Sequence, residues 1–368
     1  MYDVAIVGAG PAGSTLARLL GRHQRVLLVD RRRLDAPFSP SDPAKTCGGL
    51  LAPAAQRELA RQGLGVPAHV TAGPQLFAVR ALDLYRKRSR LYQRHYVNVD
   101  REAFDRWLVS LVPPQVECAF GWTLEDLSTD DQGAFLGFRT AAGGRATVAA
   151  RVVVGADGAA SSVRRLAFGQ ALQIPRYTAI QAAFSAVATE PHHGALFDER
   201  LTDFYGWSIP KGDTTLLGGA FLAVPGVGER FEALVSRARA QGVRLGEELG
   251  RSSAMIVRPA SLGHLLPGAG AVLLAGEAAG FVSPSSAEGI SYALRSAASA
   301  ADALAAGPVG AAARYRGASA PLAAAIAFQA LKARTVYAPV PRRLALSTGV
   351  GAIMEQGRRA GAPSFAAR

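Results

Sequence analysis

The sequence predicts an α/β chain in which a parallel-sheet domain is interrupted by a mixed-sheet insertion and followed by a helical C-terminal segment. Three observations predict it. Residues 4–20 run from an apolar strand through a glycine-rich turn into a helix. Two later apolar strands, ending near residues 155 and 276, close on the same pairing of glycine and acid. The alanine-rich stretch from about residue 297 has helical spacing. At 368 residues the chain is long enough for roughly two domains of about 150 residues each. Its 49% hydrophobic and 19% charged residues exclude a disordered chain. Its 40 glycines and 21 prolines follow no short period, which excludes a collagen-like or low-complexity one.

The first element is Val4-Ala5-Ile6-Val7, a short β-rich run that reads as a buried parallel strand. Gly8-Ala9-Gly10-Pro11-Ala12-Gly13 follows at once, and Leu16, Leu19 and Leu20 then recur at helical spacing. Gly8 serves the tight turn, Gly10 lets a pyrophosphate approach the backbone, and Gly13 lets helix and strand pack closely. The helix start offers unpaired N–H groups and the positive end of its dipole to phosphates. A second strand over Arg25 to Val29 ends in Asp30, seventeen positions after Gly13. An acid there accepts from ribose hydroxyls, and Arg31 beside it joins the same site. Strand, turn, helix, second strand and acid together call for a dinucleotide.

Two more turns follow the same plan. Arg151 to Val154 leads into Gly155-Ala156-Asp157-Gly158, with a helix expected from Ser161-Ser162. Ala271 to Ala275 leads into Gly276-Glu277-Ala278-Ala279-Gly280, and a further helix is expected after Ser285 to Ile290. The order and spacing of the three turns resemble the fingerprints of the glutathione reductase-type Rossmann FAD fold, in its hydroxylase-like branch. The resemblance implies FAD as cofactor. It implies that Asp30 holds the adenosine ribose, that Asp157 and Gly158 belong to the cofactor site, that Glu277 holds the ribityl chain, and that amides near Gly289 and Ile290 face the flavin ring. That branch usually has Asp where this chain has Glu277. It also places an arginine at a helix start near the flavin pyrophosphate, which here is Arg101 in Val99 to Leu108.

A narrower resemblance rests on two segments. Lys45-Thr46-Cys47-Gly48-Gly49 is similar to the K-x-C-G-G segment, and Tyr205 to Lys211 to the Y-x-W-x-F-P-K segment, of the geranylgeranyl reductase-like FAD-dependent oxidoreductase family, with Ile209 in place of Phe. The chain most resembles its CbrA-type group. The resemblance implies that Lys45, Gly48 and Gly49 lie beside the flavin. Cys47 then either donates a proton to a reduced alkene carbon or tunes the flavin, and Tyr205 and Trp207 wall an apolar pocket. The implied activity is reduction of C=C bonds in an isoprenoid or other lipid-like substrate. The alternative on the same fold is an FAD-dependent monooxygenase, or a halogenase-like enzyme, acting on a specialised metabolite or peptide. The Tyr205 segment also half-resembles the W-x-W-x-I-P of flavin-dependent halogenases.

The FAD-binding domain is expected over residues 1–70, 100–170 and 260–300, the substrate domain over 71–99 and 171–259, and the C-terminal helical region over 301–368. Strand-like runs fall at 177–188, 202–210 and 214–223. A second dinucleotide fold is not found, so electrons are expected from NAD(P)H in transient contact, from a separate reductase, or from the substrate. The formal charge is +13, and 37 of the 41 cationic side chains are arginine, the bias of a GC-rich genome. The basic runs Arg31-Arg32-Arg33 and Arg86-Lys87-Arg88 belong to no nucleic-acid module, so no nucleic-acid partner is expected. Cys47 and Cys118 are the two cysteines, too few for a disulfide framework, and Cys118 is expected in the core. No signal peptide or spanning segment is read, so a cytoplasmic protein is expected. Apolar, arginine-bearing C-terminal helices leave open a peripheral contact at the inner face of the membrane. His192-His193 reads as a polar loop pair without the partners of a metal site, and no metal is expected.

Overall fold

The structure is a computed structural model that describes residues 1–37, 46–169, 174–187 and 191–353. Tyr2–Val7 lies at the centre of the first sheet, parallel to Val26–Asp30 on one side and to Arg145–Gly155 on the other, with Ile6 opposite both Leu28 and Val154. Glu117–Phe120 adds outside Val26–Asp30, and Val272–Leu274 outside Arg145–Gly155, both also parallel. The hairpin of Thr123–Asp130 and Gly133–Arg139 extends the sheet along Arg145–Gly155. The central strands are apolar without alternation because helices cover the sheet. Among these, Pro11–Leu20 and Ile290–Ala305 pack on each other. The carboxyl ends of four parallel strands, at Val7, Asp30, Gly155 and Leu274, fall on one edge. That is where open α/β sheets bind ligands.

The second sheet has eight strands in the order Glu248–Val257, Arg176–Ser185, Thr214–Leu222, Gly206–Lys211, His193–Phe197, Leu76–Asp83, Arg88–Asn98 and Leu50–Leu51. The expected strands are found with shifted bounds. The second, expected from residue 202, starts only at Gly206, because Phe204 and Tyr205 lie in the turn before it, where the Tyr205 carbonyl accepts from Ala220 N–H at 3.1 Å. One face of this sheet packs Leu82, Phe184, Leu196, Leu217 and Phe221 against Phe231 and Leu234 of helix Val227–Ala240. On the other face Ala195, Trp207 and Gly218 sit side by side in register. Strand Arg88–Asn98 runs through Val99 and Asp100 directly into helix Arg101–Ser110. Asp100 caps that helix by accepting from Ala103 N–H at 2.7 Å. The alanine-rich tail folds as helices Ala311–Ala318, Ala320–Tyr337 and Pro339–Thr348, and Pro339 opens the last of them.

Two expectations are corrected. Cys118 is exposed, because Glu117–Phe120 is a sheet-edge strand and turns its side chain outward. His193 is not in a polar loop. It begins a strand whose five residues are all buried. Among the described residues no group of His, Cys, Asp and Glu is arranged to hold a metal ion.

Candidate functional site

The glycine turn has the geometry its spacing predicts. Gly8 has φ +105°, and a Cβ there would lie 2.5 Å from the Ala156 carbonyl oxygen. A Cβ on Gly13 would lie 1.7 Å from the Gly8 carbonyl oxygen, so helix and strand touch backbone to backbone. A Cβ on Gly10 would meet nothing within 4 Å. The backbone is therefore bare on the side where phosphates approach, and Pro11, Ala12 and Gly13 open the helix behind it. Asp30 locks this turn by accepting from Ala9 N–H at 2.7 Å. Arg31 is exposed beside it, while Arg32 turns inward.

Arg32 starts a relay of alternating charge that sequence reasoning missed. Its guanidinium binds Asp30 at 3.2 Å and Asp105 at 3.0 Å. Asp105, fully buried, also binds Arg101 at 2.6 Å. Arg101 in turn lies in hydrogen-bonding contact with Cys47. Arg101 and Asp105 are four apart on one helix, so the signal for their pairing was present in the sequence. Their meeting with Arg32 and Cys47 was not.

Cys47 is half-buried and its Sγ accepts from Gly49 N–H at 3.5 Å. The two motifs of the narrower resemblance interlock here. A Cβ on Gly48 would lie 2.5 Å from Ile209 Cδ1. A Cβ on Gly49, which has φ +60°, would lie 2.3 Å from the Val99 carbonyl oxygen and 2.8 Å from Lys211 Nζ. Lys211 donates to Val99 O at 2.7 Å, to Asn98 Oδ1 and to Gly49 O, and burial lowers its pKa to about 8. Arg101 and Lys211 thus set two positive charges around Cys47. Lys45 lies outside the described residues.

Tyr205 and Trp207 stand together, ring centroids 5.9 Å apart, in an aromatic group with Phe204, Phe197 and Tyr337. Trp207 Nε1 donates to Gln181 Oε1 at 3.0 Å, and the indole lies flat on Gly218, where a Cβ would come within 2.4 Å. Tyr205 donates to the Ser286 carbonyl at 2.7 Å. Burial first, then Tyr96 and Cys47, pushes its phenol well above the usual tyrosine range, so it stays protonated. Tyr337, from the C-terminal helices, donates to the neighbouring Ser285 carbonyl at 2.7 Å.

The other two turns pack against the first, Ala156 on Gly8 and Gly276 on Ala12. Asp157 spends both oxygens on Ser161 Oγ at 2.5 Å and on the amides of Ser162 and Val163, which caps helix Ser162–Phe168 beside Gly158. Arg164 of that helix donates to Ala278 O at 3.0 Å and so ties the second turn to the third. Gly276 lies against Ala12, since a Cβ there would be 3.3 Å from the Ala12 methyl group. Glu277 accepts from Val257 N–H at 3.0 Å. Gly289 and Ile290 open helix Ile290–Ala305, whose first amides have no intrahelical acceptor. Glu288 just before them caps Ser291 at 2.8 Å.

A bare glycine turn, an acid at the next strand end and a second helix start on the same edge define a dinucleotide-binding flavoprotein fold. The FAD-binding domain family matches residues 1–194. Protein CbrA of Escherichia coli O6:H1 is 38% identical over 352 residues, covering 96% of this chain and 94% of the relative. A geranylgeranyl bacteriochlorophyll reductase-like protein from Thermoplasma acidophilum superposes with a TM-score of 0.77 at 17% identity, covering 91% of this chain and 86% of that one. PqsL, a probable FAD-dependent monooxygenase from Pseudomonas aeruginosa, superposes with a TM-score of 0.68 at 22% identity, covering 94% and 98%. At those identities the two structures show the shared fold. The chain belongs to the FAD-binding domain family, on the branch that holds the CbrA proteins, and its cofactor is FAD.

Proposed function

We propose that this FAD-dependent oxidoreductase saturates C=C bonds of an isoprenoid or other lipid-like substrate. One observation carries the reading: the Cys47–Gly49 loop packs onto the strand that bears Trp207, with Sγ held against Arg101. When bound, FAD supplies the hydride at its N5. The chain supplies the rest. In this reading the turn from Gly8 to Gly13, Asp30 and Arg31 hold the adenosine and phosphate end. Glu277, Gly289 and Ile290 hold the flavin end, joined by Lys45, Gly48 and Gly49, while Arg101, Asp157 and Gly158 hold the walls between them.

Cys47 gives the proton to the second alkene carbon. Arg101 stands beside its Sγ, and solvent restores the proton after each turnover. Tyr205 and Trp207 hold the apolar chain flat against a sheet face kept small by Ala195 and Gly218. NAD(P)H or a separate reductase delivers the electrons, and the cytoplasm is the compartment that fits two cysteines without a disulfide framework.

The test is anaerobic. Photoreduced holoprotein mixed with a polyprenyl lipid under argon should reoxidise and yield a saturated product. Cys47→Ser should keep its FAD and slow that step by about 10²-fold. Turnover that requires oxygen and yields a hydroxylated or halogenated product, with no reoxidation by the lipid, would replace this reading with the monooxygenase or halogenase one.

A further inference from the structure

We propose that the two last helices dock this protein onto an anionic lipid bilayer. The proposal goes beyond the reaction and rests on the surface alone, so it holds for a reductase or a monooxygenase. Helix Ala320–Tyr337 buries Leu322, Ile326 and Ala333, yet leaves Phe328 67% and Leu331 62% exposed. A helix apolar on both sides is normally covered on both. Helix Pro339–Thr348 repeats the arrangement: Arg342 and Leu346 point inward, while Val340 is 76% and Leu344 65% exposed. Large exposed apolar side chains spaced at single turns along two consecutive helices mark a surface that something covers.

The charges identify what covers it. Residues 303–354 hold six cationic side chains and not one carboxylate. Arg342 is consumed internally against Asp83 and Glu199. Lys332, Arg334 and Arg343 are exposed beside the apolar residues. The basic run at Arg86-Lys87-Arg88, which has no part in the flavin site, comes to the same place. Arg88 donates to Ser347 Oγ at 2.5 Å and Arg90 to Ser347 O at 3.3 Å, and Ser347 lies on the outward stripe one turn beyond Leu344. Lys87, Arg88 and Arg90 make no ion pair among the described residues. Apolar groups framed by such cations complement anionic headgroups above acyl chains. Among the described residues no helix is long and apolar enough to cross a membrane, which makes the contact interfacial.

Holoprotein should pellet with vesicles of phosphatidylglycerol and phosphatidylcholine, not with phosphatidylcholine alone, and high salt should release it. Phe328→Asp with Leu331→Asp, checked by flavin spectrum and thermal midpoint, should weaken binding by about tenfold or more. Lys87→Ala with Arg343→Ala probes the same surface without touching an apolar residue and should weaken it by about tenfold. Wild-type protein left in the supernatant with anionic vesicles would overturn the proposal, as would variants that pellet like wild type. A wild-type dimer that the double aspartate substitution splits, without vesicle binding, would make a second copy the occupant and overturn it equally.

Discussion

His193 offers a quantitative test of the second sheet. It is 7% exposed, sits edge-on to Tyr96 with ring centroids 5.6 Å apart, and its buried Nδ1 has no hydrogen-bond partner. Burial first, then the nearby charges of His192 and Arg94, lowers its pKa from 6.5 to about 4. Between those values the unfolded chain binds a proton that the folded chain refuses. The stability that His193 contributes is therefore whole above pH 6.5 and is lost as pH falls toward 4. A gap of roughly 2.5 units corresponds to about 3 kcal/mol. His193→Phe keeps an aromatic ring against Tyr96 and removes the titration. Urea unfolding followed by far-UV circular dichroism at pH 4.5, 5.5, 6.5 and 7.5 should show the wild type losing about 2.5 kcal/mol more than the variant over that range. At neutral pH the variant should be at least as stable, because it no longer buries an unpaired nitrogen. Parallel stability curves for the two proteins would refute the reasoning.

Two further predictions concern the flavin end. Gly10→Val adds a side chain into open space, so the protein should purify without flavin yet fold, with the thermal midpoint of flavin-stripped wild type by circular dichroism. Gly13→Ala, whose Cβ would lie 1.7 Å from the Gly8 carbonyl, should instead lose the fold, and retained flavin in Gly10→Val would contradict the phosphate-loop role. Asp105→Asn leaves the guanidinium groups of Arg32 and Arg101 buried without their shared carboxylate. It should cost about 3 kcal/mol and lower the thermal midpoint by about 6–12 °C, read from released flavin fluorescence.

The glycine turns, Asp30 and the start of helix Ile290–Ala305 were legible because each is a local device. The chemistry of a strand–turn–helix is written in consecutive residues. Trp207 was legible on a strand face because strand alternation is local too, whereas Tyr205 stands just before the strand and meets Trp207 from the turn. What was not legible is what long loops bring together. Nothing near Val99 or Lys211 says that they will clamp Gly49, and nothing near Arg32 says that it will meet Asp105, seventy-three residues on. Asp157 was read as part of the cofactor site, and the helix cap its carboxylate forms beside Gly158 was not legible. His193 and Cys118 were misjudged for one reason. Burial is set by where a strand lies in its sheet, central for one and at the edge for the other, and flanking residues do not encode that position.

The Lys211 clamp bears on how the Cys47 loop keeps its place. One ammonium group from the second sheet grips three oxygens on the Cys47 loop and on the segment that crosses into helix Arg101–Ser110. These acceptors lie on or beside strands of that same sheet, so the clamp joins Gly206–Lys211 to Arg88–Asn98 and Leu50–Leu51, strands that are not its neighbours, and fixes the Cys47 loop to the sheet that bears Trp207. Tyr337 and Arg342 make the corresponding tie for the C-terminal helices, which they fasten to Ser285, Asp83 and Glu199 and so to both the third glycine turn and the second sheet.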